Sequence, residues 1–291
     1  MSAVPRVVAI GGGHGLAASL RAVRGYAGEV TAVVSVADDG GSTGRLRRAT
    51  PRPAPGDLRK CLVALAGRSS ALSRAMEHRF ADGELAGHAF GNLLIAALEE
   101  SEGDLVRALD EIGMLLGAVG RVLPATSVPV ELRAEVSSGG QVHGQVAVAA
   151  RADVERITLD PSDAPACPDA VRAILGADQV VLGPGSLFTS LLAATAVPGI
   201  ARAMRDSPAP LVYVCNLRPQ HGESEGYGVA DHVRALARHG VDPDVVVHDP
   251  ATMAPPAPGE VACAVVGAPV ARPSGLAHDP DRLREVLAGL V

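Results

Sequence analysis

The sequence predicts an α/β protein in three layers, helices on both faces of a mainly parallel sheet, with a small antiparallel β insert. Three observations carry this. Apolar runs at 6–10 (RVVAI) and 30–36 (VTAVVSV) enclose a helix-like stretch from Leu16 to about Val23, the pattern of a βαβ unit. The strand–glycine-loop–helix pattern returns at 179–186. Between them, residues 128–136 and 141–149 flank Ser137-Ser138-Gly139-Gly140, a hairpin turn.

The elements follow in order. Helical spacing of apolar residues recurs over 58–66, 89–98 and 105–119, so 57–119 reads as mainly helical. Asp57 in PGDLRK is placed as the N-cap of the first of these helices, and Gly87 to Asn92 opens the second. A further strand is expected at 155–159, which closes a β-rich insert over about 122–160. Parallel strands then resume at 179–182, 211–215, 245–248 and 261–266, before a terminal helix at 280–290. Proline and glycine cluster at 250–259 and 267–275, so about 249–291 is loop-rich. We expect a single Rossmann-like domain over residues 1–291.

Composition narrows the function. The chain has 291 residues, 47% of them hydrophobic and 20% charged, enough for a large core. Six aromatics, none of them Trp, argue against a base-stacking surface for single strands. A net charge of −6 argues against duplex binding by bulk charge. The 26 basic residues comprise 25 Arg and only Lys60, and no Gly-Lys-Ser/Thr tripeptide of a Walker loop is present. The four cysteines are widely spaced and form no C-x-x-C pair, which fits reduced thiols. No apolar run approaches the roughly 18 residues of a membrane span, and no signal-peptide pattern is visible at the N-terminus. Cytoplasm is the expected location.

In an open parallel sheet, ligands bind outside the carboxyl ends of the strands. Four such ends carry unusual loops. Gly11 to Gly15 supplies Gly12, Gly13 and Gly15 for close backbone approach to a phosphate, with His14 among them and Leu16 in place of the third fingerprint glycine. Asp38-Asp39-Gly40-Gly41-Ser42-Thr43-Gly44-Arg45 offers an acid for a ribose, two acids for Mg²⁺ (Asp39 foremost) or a base, and an arginine fork for an anion. Asp38 and Asp39 are thus the catalytic candidates. Gly183-Pro184-Gly185-Ser186 again leaves a strand and opens a helix, with Ser186 as its expected cap. Asn216 to Tyr227 brings Asn216, Gln220 and Glu223, amides and a carboxylate suited to a base or sugar. Two such glycine loops in one sheet favour a ligand with two phosphates, or one bound by both halves. Phe188 and Tyr227 are packing or stacking candidates, and Lys60 lies beside the crevice.

GGGHGL, ADDGGSTGRLR, PGDLRKCLVALA, HAFGNLLIAAL, VLPAT, VVLGPGSLFTSLL and YVCNLRPQHGESEGY occur in that order. Together they resemble the YvcK/GlmR family of gluconeogenesis factors, within the wider fold group of 2-phospho-L-lactate transferase. The resemblance implies a cytoplasmic, Rossmann-like protein that binds UDP-N-acetylglucosamine, and because the motifs hold no clear nucleophile–base pair, binding without turnover is the first expectation. It also implies a link to cell-wall precursor supply and cell shape on gluconeogenic carbon sources, with glucosamine-6-phosphate synthase as a partner. The related transferase joins a phospholactyl group to a deazaflavin with Mg²⁺, which is the enzymatic alternative. Carried onto this chain, the ligand loops include Gly12, Gly13, Gly15, Asp38, Asp39, Ser42, Arg45, Asn92, Gly183, Gly185, Ser186, Asn216, Gln220 and Glu223. Two positions depart from the family: His14 stands where Thr is usual, and Arg218-Pro219-Gln220-His221 replaces Met-Thr-Gln-Pro. NAD is the alternative ligand. A homo-oligomer is expected, with neither a nucleic-acid partner nor a membrane span.

Overall fold

The computed structural model describes residues 4–291. A seven-stranded parallel sheet is built from β1 (Arg6–Gly11), β2 (Glu29–Val34), β3 (Arg121–Pro124), β7 (Gln179–Leu182), β8 (Leu211–Val214), β9 (Val245–His248) and β10 (Ala264–Gly267). Its order is β10-β9-β8-β7-β1-β2-β3. The chain leaves β1 towards β2 on one side and later returns on the other as β7, so the strand order reverses between β1 and β7. That reversal opens a crevice at the strands' carboxyl ends. The central strands read as unbroken apolar runs because both faces are covered: Val7 to Ile10 and Val180 to Leu182 are all buried.

Helices α1 (Gly13–Val23), α2 (Gly41–Ala49), α3 (Pro55–Leu65), α4 (Ala71–Glu77), α5 (Phe90–Glu102) and α6 (Leu105–Leu116) fill the first half. The second sheet has order β5-β4-β6, from β4 (Glu131–Val136), β5 (Gln141–His143) and β6 (Val154–Asp160), all antiparallel, with helix α7 (Gln145–Ala149) beside it. The chain continues through α8 (Pro168–Leu175) and a π-helical turn, Leu187–Leu192, that runs into α9 (Ala193–Thr195). Helices α10 (Pro198–Asp206), α11 (Val229–Arg238) and α12 (Pro280–Ala288) complete it. No single helix among the described residues is long and apolar enough to cross a membrane.

The architecture is the expected one, with local corrections. Residues 121–124 belong to the edge of the parallel sheet, so the insert begins after them rather than at about 122. Residues 145–149 are helix instead of the second hairpin strand, because Gly144 turns the chain at φ 88° and a distant carboxylate caps the new helix. The stretch after Asp39 is no loop: helix α2 starts at Gly41 and carries Ser42 and Arg45. Helix α1 starts at Gly13, inside the first glycine loop, and not at Leu16.

Candidate functional site

The first and third loops meet at the strand-order reversal. A Cβ on Gly15 would lie 1.9 Å from the carbonyl oxygen of Pro184, so the two loops touch backbone to backbone. Gly185 has φ 116° and is held on both sides by Asn216: its N–H donates to Asn216 Oδ1 at 2.6 Å, and Asn216 Nδ2 donates to its carbonyl at 2.8 Å. Gln220, its amide oriented by its neighbours, donates to Gly185 O at 3.1 Å and to Glu223 Oε1 at 3.0 Å. Glu223 Oε2 in turn accepts the Thr189 N–H at 3.2 Å. That is a correction: Glu223, from the fourth loop, serves the start of the π-helical turn, whereas the Ser186 side chain makes no cap hydrogen bond. Burial pushes the Glu223 carboxyl above the usual range.

A cleft of about 240 Å³ opens here, lined by His14, Gly15, Gly185, Asn216, Arg218 and His278 among others. Gly183 lies behind it, where a Cβ would meet Leu16 at 3.1 Å. His14 and Arg218, the two departures from the family pattern, therefore flank one opening. Partial burial, and next the charge of Lys60, lower the His14 imidazole.

Across β1 lies the second half of the crevice. Asp38 Oδ1 accepts the Gly40 N–H at 3.0 Å, and Asp38 Oδ2 faces Gly56. Burial is the main cause that raises the Asp38 carboxyl, and the nearby Asp57 adds to it. Asp57 is not the helix cap that the sequence suggests. It sits within the first turn of α3, faces Gly12 closely enough that a Cβ there would be 2.4 Å from its Oδ2, and pairs with Lys60 at 2.9 Å. Asp39 points elsewhere: its two oxygens accept the N–H groups of Gln145 and Val146, both at 3.0 Å, and so cap α7 of the insert.

Ser42 and Asn92 join α2 to α5. Ser42 Oγ accepts the Ala89 N–H at 3.3 Å and lies 3.2 Å from His88 Nδ1. Asn92 Nδ2 reaches Thr43 Oγ1 at 3.5 Å, and Asn92 Oδ1 is buried without a partner. Arg45 spends one prong on the Ala86 carbonyl at 2.8 Å, which anchors the 80s loop. Helices α1, α2 and α5 and the π-helical turn all begin without a side-chain cap, while α4, α6 and α12 are capped by Ser70, Asp104 and Asp279. Uncapped starts occur outside the crevice too, at α8 and α10, where proline at N1 removes a donor. Around the crevice no such proline intervenes at α1 or α2, so N–H groups remain there for an anion, whereas at α5 the Phe90 N–H already donates to the His78 carbonyl at 2.9 Å. Of the two candidate rings Phe188 packs: it is fully buried, edge-on to Tyr227 at 6.3 Å and His239 at 6.0 Å, while Tyr227 is half-buried.

His278 is the site residue that motif reading missed, because it lies 62 residues beyond Asn216 with little pattern around it. It is 7% exposed, with Nε2 3.2 Å from the Cys215 carbonyl, and burial pushes its pKa down to about 4. The unfolded value near 6.5 is higher, so the unfolded chain binds the extra proton between the two values. The resulting stability is complete above about pH 6.5 and lost as pH falls towards 4, by up to about 3 kcal/mol. His278→Gln keeps a donor for Cys215 and should flatten urea-unfolding stability between pH 7 and 5. An unchanged acid slope would refute this assignment.

Residues 7–258 match the family described as 2-phospho-L-lactate transferase CofD. A Deinococcus radiodurans relative, named "Putative gluconeogenesis factor", is 47% identical over 83% of this chain and 53% of its own length. A Mycobacterium tuberculosis relative of the same name is 44% identical over 98% of this chain and 90% of its own. The chain spans about half the length of the Deinococcus and Nostoc relatives, 53% and 51%. The crystal structure of a Bacillus halodurans member of the UPF0052 family is 33% identical and superposes with a TM-score of 0.91 over 97% of this chain and 98% of that one. The chain belongs to the CofD family, among relatives named gluconeogenesis factors, as its ordered motifs lead one to expect.

Proposed function

We propose that this chain is a nucleotide-sugar-binding regulatory protein of the cytoplasm, with UDP-N-acetylglucosamine as its ligand. The observation that carries the reading is the backbone contact of two glycine loops at the strand-order reversal. It sets the uncapped N-terminus of α1 directly against the Pro184-Gly185 loop, where a diphosphate would sit, while at the π-helical turn Glu223 already holds the Thr189 N–H. On the β2 side Asn92 Oδ1 is left without a partner for a sugar or base, while Asn216 beside the cleft serves by holding Gly185 in place. The resemblance supplies the uridine sugar, the role in cell-wall precursor supply and the partner, glucosamine-6-phosphate synthase. Calorimetry against UDP-N-acetylglucosamine, UDP-glucose and NAD⁺ tests it. The expected result is heat from the uridine sugars and none from NAD⁺; silence from every uridine sugar would refute the reading.

A second reading, a Mg²⁺-dependent transferase of phosphorus-containing groups, rests on Asp38. Its carboxylate is raised by burial and by a second acid, Asp57, across the same half of the crevice. No group of three or more His, Cys, Asp or Glu among the described residues is gathered to hold a metal ion. Mg²⁺ commonly uses only one or two carboxylates plus substrate phosphates, so Asp38 and Asp57 fit it, and Asp39, engaged with α7, fits less well. The ion would neutralise charge on a transferred phosphoryl group. In the same calorimetric series, Mg²⁺-dependent release of a nucleoside phosphate that Asp38→Asn abolishes would favour this reading. No release from any donor would end it.

A further inference from the structure

A second cleft, of about 410 Å³, lies on the outer surface of α1, α3 and α4. Its walls hold Arg21, Arg24, Arg68 and Arg74, with Ser73 and Glu77. Arg21 is in the last turn of α1 and Arg24 is its C-cap, whereas the crevice lies at the N-terminus of the same helix. Eleven helical residues separate the two places, roughly 16 Å. Arg21 and Arg24 therefore stand at the far end of α1 from the crevice, and no residue lines both clefts, although Glu77 on the α4 wall is near enough to act on the His14 charge.

Its charge is one-sided. Among the described residues, none of the four arginines has a carboxylate within ion-pair distance, whereas Arg6, Arg52, Arg121, Arg151 and Arg234 each do. The one acid in the cleft, Glu77, is matched by Arg59 at 3.1 Å. This concentration of positive charge stands on a chain of net charge −6. Arg24 is also fixed in place: its Nη1 donates to the carbonyls of Ala64 and Ala66, at 3.1 and 2.9 Å, at the end of α3. Four like charges around one concavity repel each other; helix C-termini and the two carbonyls at Arg24 offset part of that repulsion, but among the described residues no carboxylate pairs with any of the four. An anion would.

We propose that this cleft is a second ligand site, for a small phosphate-bearing anion. Its size is that of a small-molecule site, and guanidinium forks match phosphate oxygens two at a time. Arg24, held by the α3 carbonyls, supplies the fixed wall, and Arg21, Arg68 and Arg74 close on the anion from the exposed side.

The probe is inorganic pyrophosphate, titrated calorimetrically into the full chain and into an Arg68→Ser/Arg74→Ser variant, with UDP-N-acetylglucosamine as a parallel titrant. Neither arginine supports a fold contact, so the variant should melt at or above the wild-type midpoint. We expect pyrophosphate to bind the variant roughly tenfold to a hundredfold more weakly, with the response to the uridine sugar unchanged. Equal pyrophosphate binding by both proteins would place all of it in the crevice and overturn the proposal, as would no binding to either. A poly-glutamate peptide that binds through these arginines where pyrophosphate does not would overturn it in favour of a protein-docking surface. Failure of the uridine sugar alone would overturn the crevice reading and leave this one standing.

Discussion

Gly15→Ala should separate the two glycine loops that meet at the strand-order reversal. The added carbon would lie 1.9 Å from the Pro184 oxygen, 2.4 Å from its carbonyl carbon and 2.8 Å from the Gly185 Cα. All three are backbone atoms, so no rotamer change relieves the clash and the loops must separate. Overpacking of this kind costs about 1–3 kcal/mol, which lowers the melting midpoint by roughly 2–5 °C in a chain of this size. Binding should fall further than stability does, because the diphosphate position exists only while both loops face it. Gly139→Ala is the control. Its φ is 89° with nothing within 4 Å, so it strains a turn without moving any ligand group, at a cost of about 1 kcal/mol. Calorimetric titration and thermal melting of both variants check the pair. If Gly15→Ala bound a uridine sugar as the wild type does, the loop contact would not be where the ligand sits.

Asn216→Ala should give the second largest effect. The side chain pairs with both the N–H and the carbonyl of Gly185, at 2.6 and 2.8 Å, and is itself only 6% exposed. Removal leaves the N–H unpaired and the carbonyl with Gln220 alone. An unsatisfied buried group costs about 1–3 kcal/mol, and a loss of that order is expected in urea unfolding. Gly185, freed from its φ of 116°, would no longer hold the third loop against Gly15. Asn216→Asp separates the two roles. It keeps an acceptor for the Gly185 N–H but turns a carboxylate oxygen towards the carbonyl and adds negative charge beside the proposed diphosphate. The expected outcome is partial recovery of stability with no recovery of binding. Full binding by Asn216→Asp would move the phosphates away from Gly185.

How much could be read in advance differs by element. Strands β1, β2, β7 and β8 are legible because parallel strands covered on both faces are continuous apolar runs. Strand β3 is not, since four residues carry little pattern and their register comes from β2, some ninety positions earlier. Helix α7 reads as strand because Val146 and Val148 alternate. Its N-terminus is completed by Asp39, and no window of local sequence contains both partners. Helix α2 reads as loop because GGSTG has poor helix propensity. Gly44 permits its close packing, since a Cβ there would lie 1.9 Å from the Asp39 carbonyl oxygen.

The sequence alone therefore determined the long buried strands, the strand-end glycine loops and, through its ordered motifs, the family. Periodicity, turn preference and missing Cβ atoms act within a few residues, so they are written locally. Only the tertiary structure decided which acids face the crevice. Adjacent Asp38 and Asp39 part ways, one towards Asp57 and one towards α7, and Asp57 leaves its expected cap to meet Gly12 and Lys60. It alone also gathered Arg21, Arg24, Arg68 and Arg74 into one cleft and set His278 behind Asn216. Desolvation and charge pairing depend on which segments the sheet and its helices bring together across the chain, and that is settled by long-range packing.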